Sequence, residues 1–144
     1  MEFKAFSKKQ MLAMNWWCQR DTRGYDSIIC DGAVRSGKTL SMSMGFVFWA
    51  MARFRSGSFA MCGKTVTSLR RNIVTPLVQL LGELGFDCHE KVSRNYMDVM
   101  LGDVSNRFYF FGGRDESSAA LIQGMTLCLS LIHISEPTRL QLIS

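Results

Sequence analysis

The sequence is poor in the residues that bind structural metals. It contains only two histidines, and His89 and His133 are too isolated from each other to be metal ligands. Its five cysteines are an odd number, are widely spread and form no C-x-x-C pair: Cys18, Cys30, Cys62, Cys88 and Cys128. This pattern favours buried free thiols in a reducing cytosol over disulfides or a zinc site.

Long hydrophobic runs are also absent. No apolar run reaches the length of about 18 residues that indicates a membrane span, because Arg53 and Arg55 end the longest one. The first ten residues, MEFKAFSKKQ, lack the apolar core of a signal peptide. We therefore predict a soluble cytoplasmic protein without membrane contact. Its 144 residues are enough for one domain with a core, but not for two large domains.

The net charge of +5 is unevenly distributed. Residues 1–72 hold 12 lysines and arginines against 4 acidic residues, whereas residues 73–144 hold 5 against 8. A basic half suits contact with phosphate groups, either of a nucleotide or of a nucleic acid. A solvated basic surface without a partner is the alternative.

The most informative stretch runs from Ser27 to Phe54. At its centre, residues 32–39 read GAVRSGKT, which fits the phosphate-binding pattern G-x-x-x-x-G-K-[ST] at every fixed position. A short apolar run, residues 28–30, precedes the motif, and residues 40–54 are apolar on nearly every face. This order predicts a buried parallel strand, a phosphate-binding loop and a buried helix.

The residue types in this motif match the chemistry of a nucleotide tail. Gly32 and Gly37 let the backbone turn so that successive N–H groups form an anion-binding nest. The first turn of the helix adds unpaired donors and the positive end of its dipole. Lys38 can reach the β- and γ-phosphates, and the Thr39 hydroxyl can bind Mg²⁺. The alternative is a structural glycine turn followed by an exposed lysine.

Two further residues are candidates for the same site. Arg35 lies inside the loop, where a guanidinium could stabilise charge on the γ-phosphate or could face a neighbouring molecule. Gln10 follows a predicted N-cap at Ser7 in an amphipathic helical segment predicted for residues 1–23. Its amide could read the edge of an adenine, or Gln10 could be a surface residue on a helix packed by tryptophan.

The rest of the chain predicts further α/β elements. We expect a strand at residues 58–62, with Gly63-Lys64-Thr65 at its ligand-binding end. A helix at residues 67–84 should be kinked or divided by Pro76. Arg70 and Arg71 on that helix could contact DNA or another subunit, or be solvated. Three short strands follow, at residues 86–89, 96–101 and 107–111, then a short helix ending at residue 122 and a strand at 125–127.

Four sequence blocks occur in order between Phe6 and Leu127: FSKKQ, ICDGAVRSGKT, FAMCGKTVTSLRRNIVTPL and FYFFGGRDESSAALIQGMTL. Together they resemble the phage terminase large subunits of the PBSX-like family. Such proteins are ATP-driven motors that package double-stranded DNA into an empty procapsid, and they carry a nuclease domain that cuts the concatemer. The resemblance covers most of the chain, so it is more specific than the loop motif alone.

The resemblance implies a P-loop NTPase fold of the RecA-like (ASCE) type. This is an α/β three-layer sandwich, here incomplete, with a small β-meander near residues 86–111. The implied cofactors are ATP and Mg²⁺, with Lys38 and Arg35 as catalytic residues, Thr39 as a magnesium ligand and Gln10 at the adenine. The implied nucleotide-binding set comprises Gln10, Gly32, Ala33, Val34, Arg35, Ser36, Gly37, Lys38 and Thr39.

The implied partners are double-stranded DNA, the small terminase subunit and the portal protein, with a homo-oligomeric ring for the intact protein. The implied location is the host cytoplasm, or the bacterial cytoplasm for a prophage. Two other functions stay open on the residues alone. One is a different P-loop ATPase acting on nucleic acid, such as a helicase, and the other is a non-catalytic nucleotide-dependent DNA-binding module.

The end of the chain departs from the family pattern. After the block that ends at Leu127, the family continues with an apolar strand ending in Asp-Glu, which orients Mg²⁺ and activates water. Here residues 129–139 read LSLIHISEPTR, which resembles a translated sequencing adapter. We interpret residues 1–127 as the N-terminal part of a terminase ATPase domain and residues 128–144 as a non-native tail. The alternative is a degenerate form of the missing strand at residues 131–136, with Ser135 in place of the Asp.

This departure has two expected consequences. Without a positioned carboxylate, the chain should bind triphosphate weakly and lack hydrolytic activity. Without the later strands of the sheet, strands that should be central are expected to have open edges, which would leave the domain unstable.

Overall fold

The computed structural model describes residues 5–22, 24–25, 27–31, 37–114, 129–135 and 138–143. Its helical elements are α1 (Lys8–Asn15), α2 (Lys38–Arg53), α3 (Val66–Leu69), a π-helical turn (Arg70–Val74), α4 (Thr75–Glu83) and a 3₁₀ turn (Val92–Arg94). Its strands are β1 (Ser27–Asp31), β2 (Ser58–Gly63), β3 (Asp87–Lys91), β4 (Tyr96–Leu101), β5 (Val104–Gly112), β6 (Leu129–Ser135) and β7 (Thr138–Ile143).

The described strands form one mixed sheet in the order β1-β7-β6-β2-β5-β4-β3. Strand β2 is parallel to β5 on one side and to β6 on the other. The hairpin of β6 and β7 is antiparallel, and β7 is antiparallel to β1. Strands β1, β2, β5 and β6 therefore all run in the same direction, so their carboxyl ends lie at one edge of the sheet.

The helices pack on one face of this sheet, so the described chain has two layers. Alternate strand residues point into the same core as α2 and α4, because side chains in a strand alternate between faces. Phe46 of α2 lies edge-on to Phe59 and Phe108, with ring centroids 5.8 and 5.6 Å apart, and those two rings stack at 5.1 Å. These aromatic contacts join the buried helix to the two central strands.

Helix α2 begins and ends close to its predicted bounds. Ser41 and Ser43 are fully buried in it, and each returns its hydroxyl to the helix backbone: Ser41 Oγ donates to the Gly37 carbonyl at 2.9 Å and Ser43 Oγ to the Thr39 carbonyl at 2.7 Å. Burial of these two hydroxyls is therefore compatible with a helix that is enclosed by apolar neighbours.

Helix α1 is shorter than the segment predicted for residues 1–23. It ends at Asn15, and turns occupy residues 16–22, where Thr22 Oγ1 donates to the Trp16 carbonyl. The predicted N-cap at Ser7 is confirmed, because its hydroxyl accepts from the Gln10 N–H. Met14 and Trp16 are buried against the core, so the segment is anchored at its C-terminal end.

Pro76 divides its helix as predicted. The chain widens into a π-helical turn just before α4, and Pro76 lies in the first turn of α4. Proline has no N–H to donate and its ring clashes with the carbonyl four residues earlier, so a wider turn accommodates it.

Strands β3, β4 and β5 form the predicted antiparallel meander. Asp98 and Arg107 lie directly opposite each other in β4 and β5, and the guanidinium makes two hydrogen bonds to the carboxylate, at 2.8 and 3.1 Å. The guanidinium also lies 4.0 Å from the centre of the Tyr96 ring. The hydrogen bonds to Asp98 raise the pKa of Arg107, and this charge-assisted pair supports the strand register.

The backbone of the tail joins the sheet, which corrects the expectation of open edges at β2. Strand β6 pairs with β2, and β7 lies between β6 and β1, so β2 has partners on both sides. Strand β1 has one partner and forms an edge of the described sheet. The helix expected to end at residue 122, and the strand expected at 125–127, lie outside the described residues.

In the described part of the chain, Cys18, Cys30, Cys62 and Cys88 are free, as predicted. The expectation that they are buried is wrong, because Cys18 is exposed and the other three are half-buried. Burial, reinforced by the Asp87 charge, raises the pKa of Cys88 to about 11, which keeps this thiol protonated at neutral pH. Among the described helices, none combines the length and the apolar content needed to cross a bilayer.

One buried polar residue ties the end of α2 to the sheet. Asn106 of β5 is 1% exposed, and its amide nitrogen donates to the carbonyls of Ala50 and Phe54 at 3.3 and 2.9 Å. Its amide oxygen accepts the Gly57 N–H at 2.8 Å. Asn106 thus satisfies the Phe54 carbonyl just past the end of α2, and it adds a second donor to the Ala50 carbonyl, which already accepts the Phe54 N–H.

We expect Asn106→Leu to lower the free energy of unfolding by about 3 kcal/mol, because it leaves the half-buried Phe54 carbonyl and Gly57 N–H without their partner. Asn72→Ala, at an exposed position, should change it by less than about 0.5 kcal/mol. Urea unfolding of both variants measures the difference. Equal midpoints for the two variants would show that Asn106 does not hold the helix end.

Candidate functional site

The candidate site lies at the side of the sheet formed by the carboxyl ends of the parallel strands β1, β2, β5 and β6. The segments that follow these ends are polar: Gly37 to Thr39 come after β1, and Lys64 and Thr65 come after β2. Gly113 follows β5, and its N–H donates to the Gly63 carbonyl at 2.7 Å, which joins two of these ends. Such an edge is where open α/β sheets bind ligands.

The start of α2 is open in a way that suits an anion. Gly37 is the N-cap and has a left-handed backbone with φ of +75°, which favours glycine. The cap makes no side-chain hydrogen bond, and no acidic residue lies in the first turn of α2. The first N–H groups of this helix and the positive end of its dipole are therefore oriented as the motif predicts.

Lys38 and Thr39 are the first two residues of α2, and both are half-buried. Burial raises the pKa of the Cys30 thiol, and the positive charge of Lys38 opposes that shift. The Lys38 ammonium is thus close enough to the end of β1 for its field to act there. The Thr39 carbonyl accepts from the Ser43 hydroxyl, which belongs to the next turn of α2.

Gln10 lies against the start of α2, although 27 positions separate it from Gly37 in the sequence. A β-carbon built on Gly37 would overlap Gln10 Nε2. The other end of the amide is held within α1, because Gln10 Oε1 accepts the Ser7 N–H at 2.7 Å. The nitrogen end of the amide therefore faces the start of α2.

The structure thus brings together Gln10, Gly37, Lys38 and Thr39 from the predicted set. Residues 32–36, which include Gly32, Ala33, Val34, Arg35 and Ser36, lie outside the described residues, so their predicted roles stay predictions. Lys64 and Thr65 lie at the same edge, but β7 and β6 separate their strand from β1.

Arg70 is bound within the fold. Its Nε pairs with Glu90 Oε1, its Nη2 donates to Asn95 Oδ1 at 3.2 Å, and its guanidinium lies 5.9 Å from the centre of the Phe110 ring. These contacts join the π-helical turn to the meander, which the sequence did not predict. Arg71 is exposed and donates to Asn72, as expected for a solvated face.

The metal part of the site is incomplete in the described residues. No group of three or more His, Cys, Asp or Glu side chains in them could hold a metal ion. Mg²⁺ in nucleotide sites takes one or two carboxylates together with phosphate oxygens. The described residues fit a nucleotide with Thr39 as one magnesium ligand, and residue 135, at the carboxyl end of β6, is a serine.

Two local features of the site were missed in the sequence. Ser7 and Gln10 form a complete capping box, which the S-x-x-Q spacing could have indicated. Gly45, in the middle of α2, lets the α1 backbone approach closely, since a β-carbon there would lie 2.7 Å from the Met14 carbonyl oxygen. No local sequence signal identifies this contact, because it joins two different helices.

In nucleotide-binding α/β proteins, a strand is typically followed by a helix that begins with Lys-Thr and has no side-chain cap at its N-terminus. Comparison with solved structures is more specific. The chain is similar to the large terminase from a thermophilic bacteriophage, with 43% identity and a TM-score of 0.87 over 90% of this chain and 32% of that one.

Two nucleotide complexes of the same thermophilic-phage terminase are also similar to the chain. The complex with ADP has 42% identity and a TM-score of 0.83 over 90% of this chain and 32% of that chain. The complex with ATP-γ-S has 39% identity and a TM-score of 0.81 over 90% and 31%. This chain thus spans about a third of the length of these terminases.

The ATPase domain of the Thermus phage P74-26 large terminase shares the fold, with 17% identity and a TM-score of 0.50 over 68% of this chain and 43% of that one. No protein-family model matches the chain, and no curated protein matches it. The α/β fold predicted from the sequence is confirmed, and it is the fold of a phage large terminase over the shared region.

Gln10→Glu separates the two hypotheses for Gln10. The change preserves the capping box, since Ser-x-x-Glu is its usual form, so the melting temperature should stay within a few degrees of the original value. It replaces an amide donor that faces the start of α2 by a carboxylate. We expect the Kd for ADP with Mg²⁺ to rise about tenfold in calorimetric titration.

Gln79→Glu adds the same charge at an exposed position of α4 and should leave the Kd unchanged. A Kd unaffected by Gln10→Glu would favour the surface hypothesis, in which Gln10 only caps its helix.

Proposed function

We propose that this chain is the N-terminal part of a phage large terminase and binds ATP at the start of α2. In the complete protein, ATP hydrolysis at this site drives the packaging of double-stranded DNA into the procapsid. The observation that carries the proposal is the 43% identity over 90% of the chain to a large terminase that has also been solved with ADP and ATP-γ-S.

The geometry of the described residues supports the nucleotide part of the proposal. The phosphates of the nucleotide would face the N-terminus of α2, where the N-cap residue Gly37 has no side chain to bind the first N–H groups of the helix. Lys38 would neutralise charge on the β- and γ-phosphates, and Gln10 would contact the nucleotide from the side of α1. The Thr39 hydroxyl would hold Mg²⁺, which would supply further neutralisation of the phosphate charge.

Arg35 completes the proposed catalytic set as a cation near the γ-phosphate. The proposed partners of the complete protein are DNA, the small terminase subunit, the portal protein and further copies of the chain in a ring, and its proposed location is the cytoplasm. The positive balance of residues 1–72 agrees with a nucleic acid partner.

For the chain as it stands, we propose nucleotide binding without effective turnover. Hydrolysis in this class requires a carboxylate that activates water, and the parallel strand β6 ends at residue 135, which is a serine. This also agrees with the proposal that residues 128–144 are a non-native tail, because the family strand ends in Asp-Glu.

Lys38→Ala tests the phosphate role. We expect it to raise the Kd for ATP-γ-S with Mg²⁺ by about tenfold to a hundredfold, because it removes a charge-assisted hydrogen bond to phosphate. Lys91→Ala removes an exposed lysine of β3, the strand farthest from β1 in the sheet, and should leave the Kd unchanged. Calorimetric titration measures both values, and unchanged affinity in Lys38→Ala would contradict the proposed function.

A further inference from the structure

We propose that Gly45 and Ser7 are positioning residues for the nucleotide site, because together they hold Gln10 against Gly37. The proposal rests on the proposed nucleotide binding, and it adds α1 as a helix that borders the site. Neither residue would touch the nucleotide. Each would act through the placement of the Gln10 amide.

Gly45 determines how closely α1 lies on α2. A β-carbon at Gly45 would lie 2.7 Å from the Met14 carbonyl oxygen and 3.0 Å from the Met14 Cα. Both atoms belong to the backbone, so a side chain at position 45 would displace α1 as a whole. Flexible side-chain atoms could move aside, but a helix backbone cannot do so locally.

The C-terminal part of α1 is held rigidly at this contact. Met14 and Trp16 are buried in the core, and the Met14 carbonyl also accepts the indole N–H of Trp17 at 3.2 Å. The Trp17 ring is covered in turn by the Arg53 guanidinium of α2, 6.0 Å from the ring centre. Displacement of the Met14 backbone would therefore disturb several contacts and would be visible at Trp17.

Ser7 determines the orientation of the Gln10 amide. The Ser7 N–H donates to Gln10 Oε1 at 2.7 Å, and the Ser7 hydroxyl accepts the Gln10 N–H at 3.3 Å. The first bond holds the oxygen end of the amide, so that its nitrogen end faces Gly37. The second bond is made by the backbone N–H of Gln10, and it holds Ser7 at the N-cap where the first bond can form. Gln10 and Met14 lie about one helical turn apart on α1, so the contacts at Gly37 and Gly45 fix α1 at two successive turns.

Gly45→Ala is the direct test, with ADP and Mg²⁺ as the probe. We expect the Kd to rise about tenfold through the loss of the Gln10 contact, while the chain stays folded. The indole N–H resonance of Trp17 should shift in the ¹⁵N NMR spectrum, since its acceptor moves. Gly82→Ala is the matched control, because a β-carbon there meets no atom within 4 Å. It should leave the Kd unchanged and raise the melting temperature.

A folded Gly45→Ala variant with the original Kd would overturn the proposal. If Gly45→Ala does not fold, the variants Ser7→Ala and Ser7→Thr provide the test, because threonine keeps the capping hydroxyl and alanine removes it. A severalfold rise in Kd for Ser7→Ala alone supports the proposal. Equal Kd values for both variants and the original chain overturn it. If the original chain itself does not bind ADP, the proposed function fails, and the inference fails with it.

Discussion

The structure depends on the burial of the central part of α2, whose residues 41–47 and Ala50 are buried. Phe46, Val47 and Ala50 are fully buried, and the helix is in contact with α1, α4 and the sheet. Asn106 satisfies carbonyls at its C-terminus, so that end is closed by the protein. The N-terminus has only Gly37 as its cap, so backbone donors there are available to a ligand.

The second constraint is the close approach of α1. A glycine in the middle of a helix is unfavourable relative to alanine, so Gly45 costs some helix stability. What it allows is direct contact between two helix backbones, and through that contact Gln10 reaches the start of α2 from a distant part of the sequence. The proposed nucleotide site is thus built from two helices, and its geometry depends on how they pack.

Strands β6 and β7 lie between β2 and β1 in the sheet. Strands β6 and β7 pair with β2 and β1 through main-chain hydrogen bonds, which any non-proline sequence can supply. Catalysis has stricter requirements, because a serine at the end of β6 cannot replace a carboxylate that activates water. The pairing of β6 with β2 therefore does not by itself supply the carboxylate that hydrolysis needs.

The sequence by itself determined the α/β class, most of the elements between residues 38 and 112, and the motif that defines the candidate site. The G-x-x-x-x-G-K-[ST] motif, the apolar run after it, the cap at Ser7 and the break at Pro76 all act through neighbouring residues, so they can be recognised locally. The tertiary structure decided how closely α1 packs on α2 at Gly45 and how the Gln10 amide is oriented. It also decided the pairing of Arg70 with Glu90 and the hydrogen bonds of Asn106 to the end of α2. Each of these joins residues that are far apart in the chain, and such contacts are fixed only when helices and strands pack against one another.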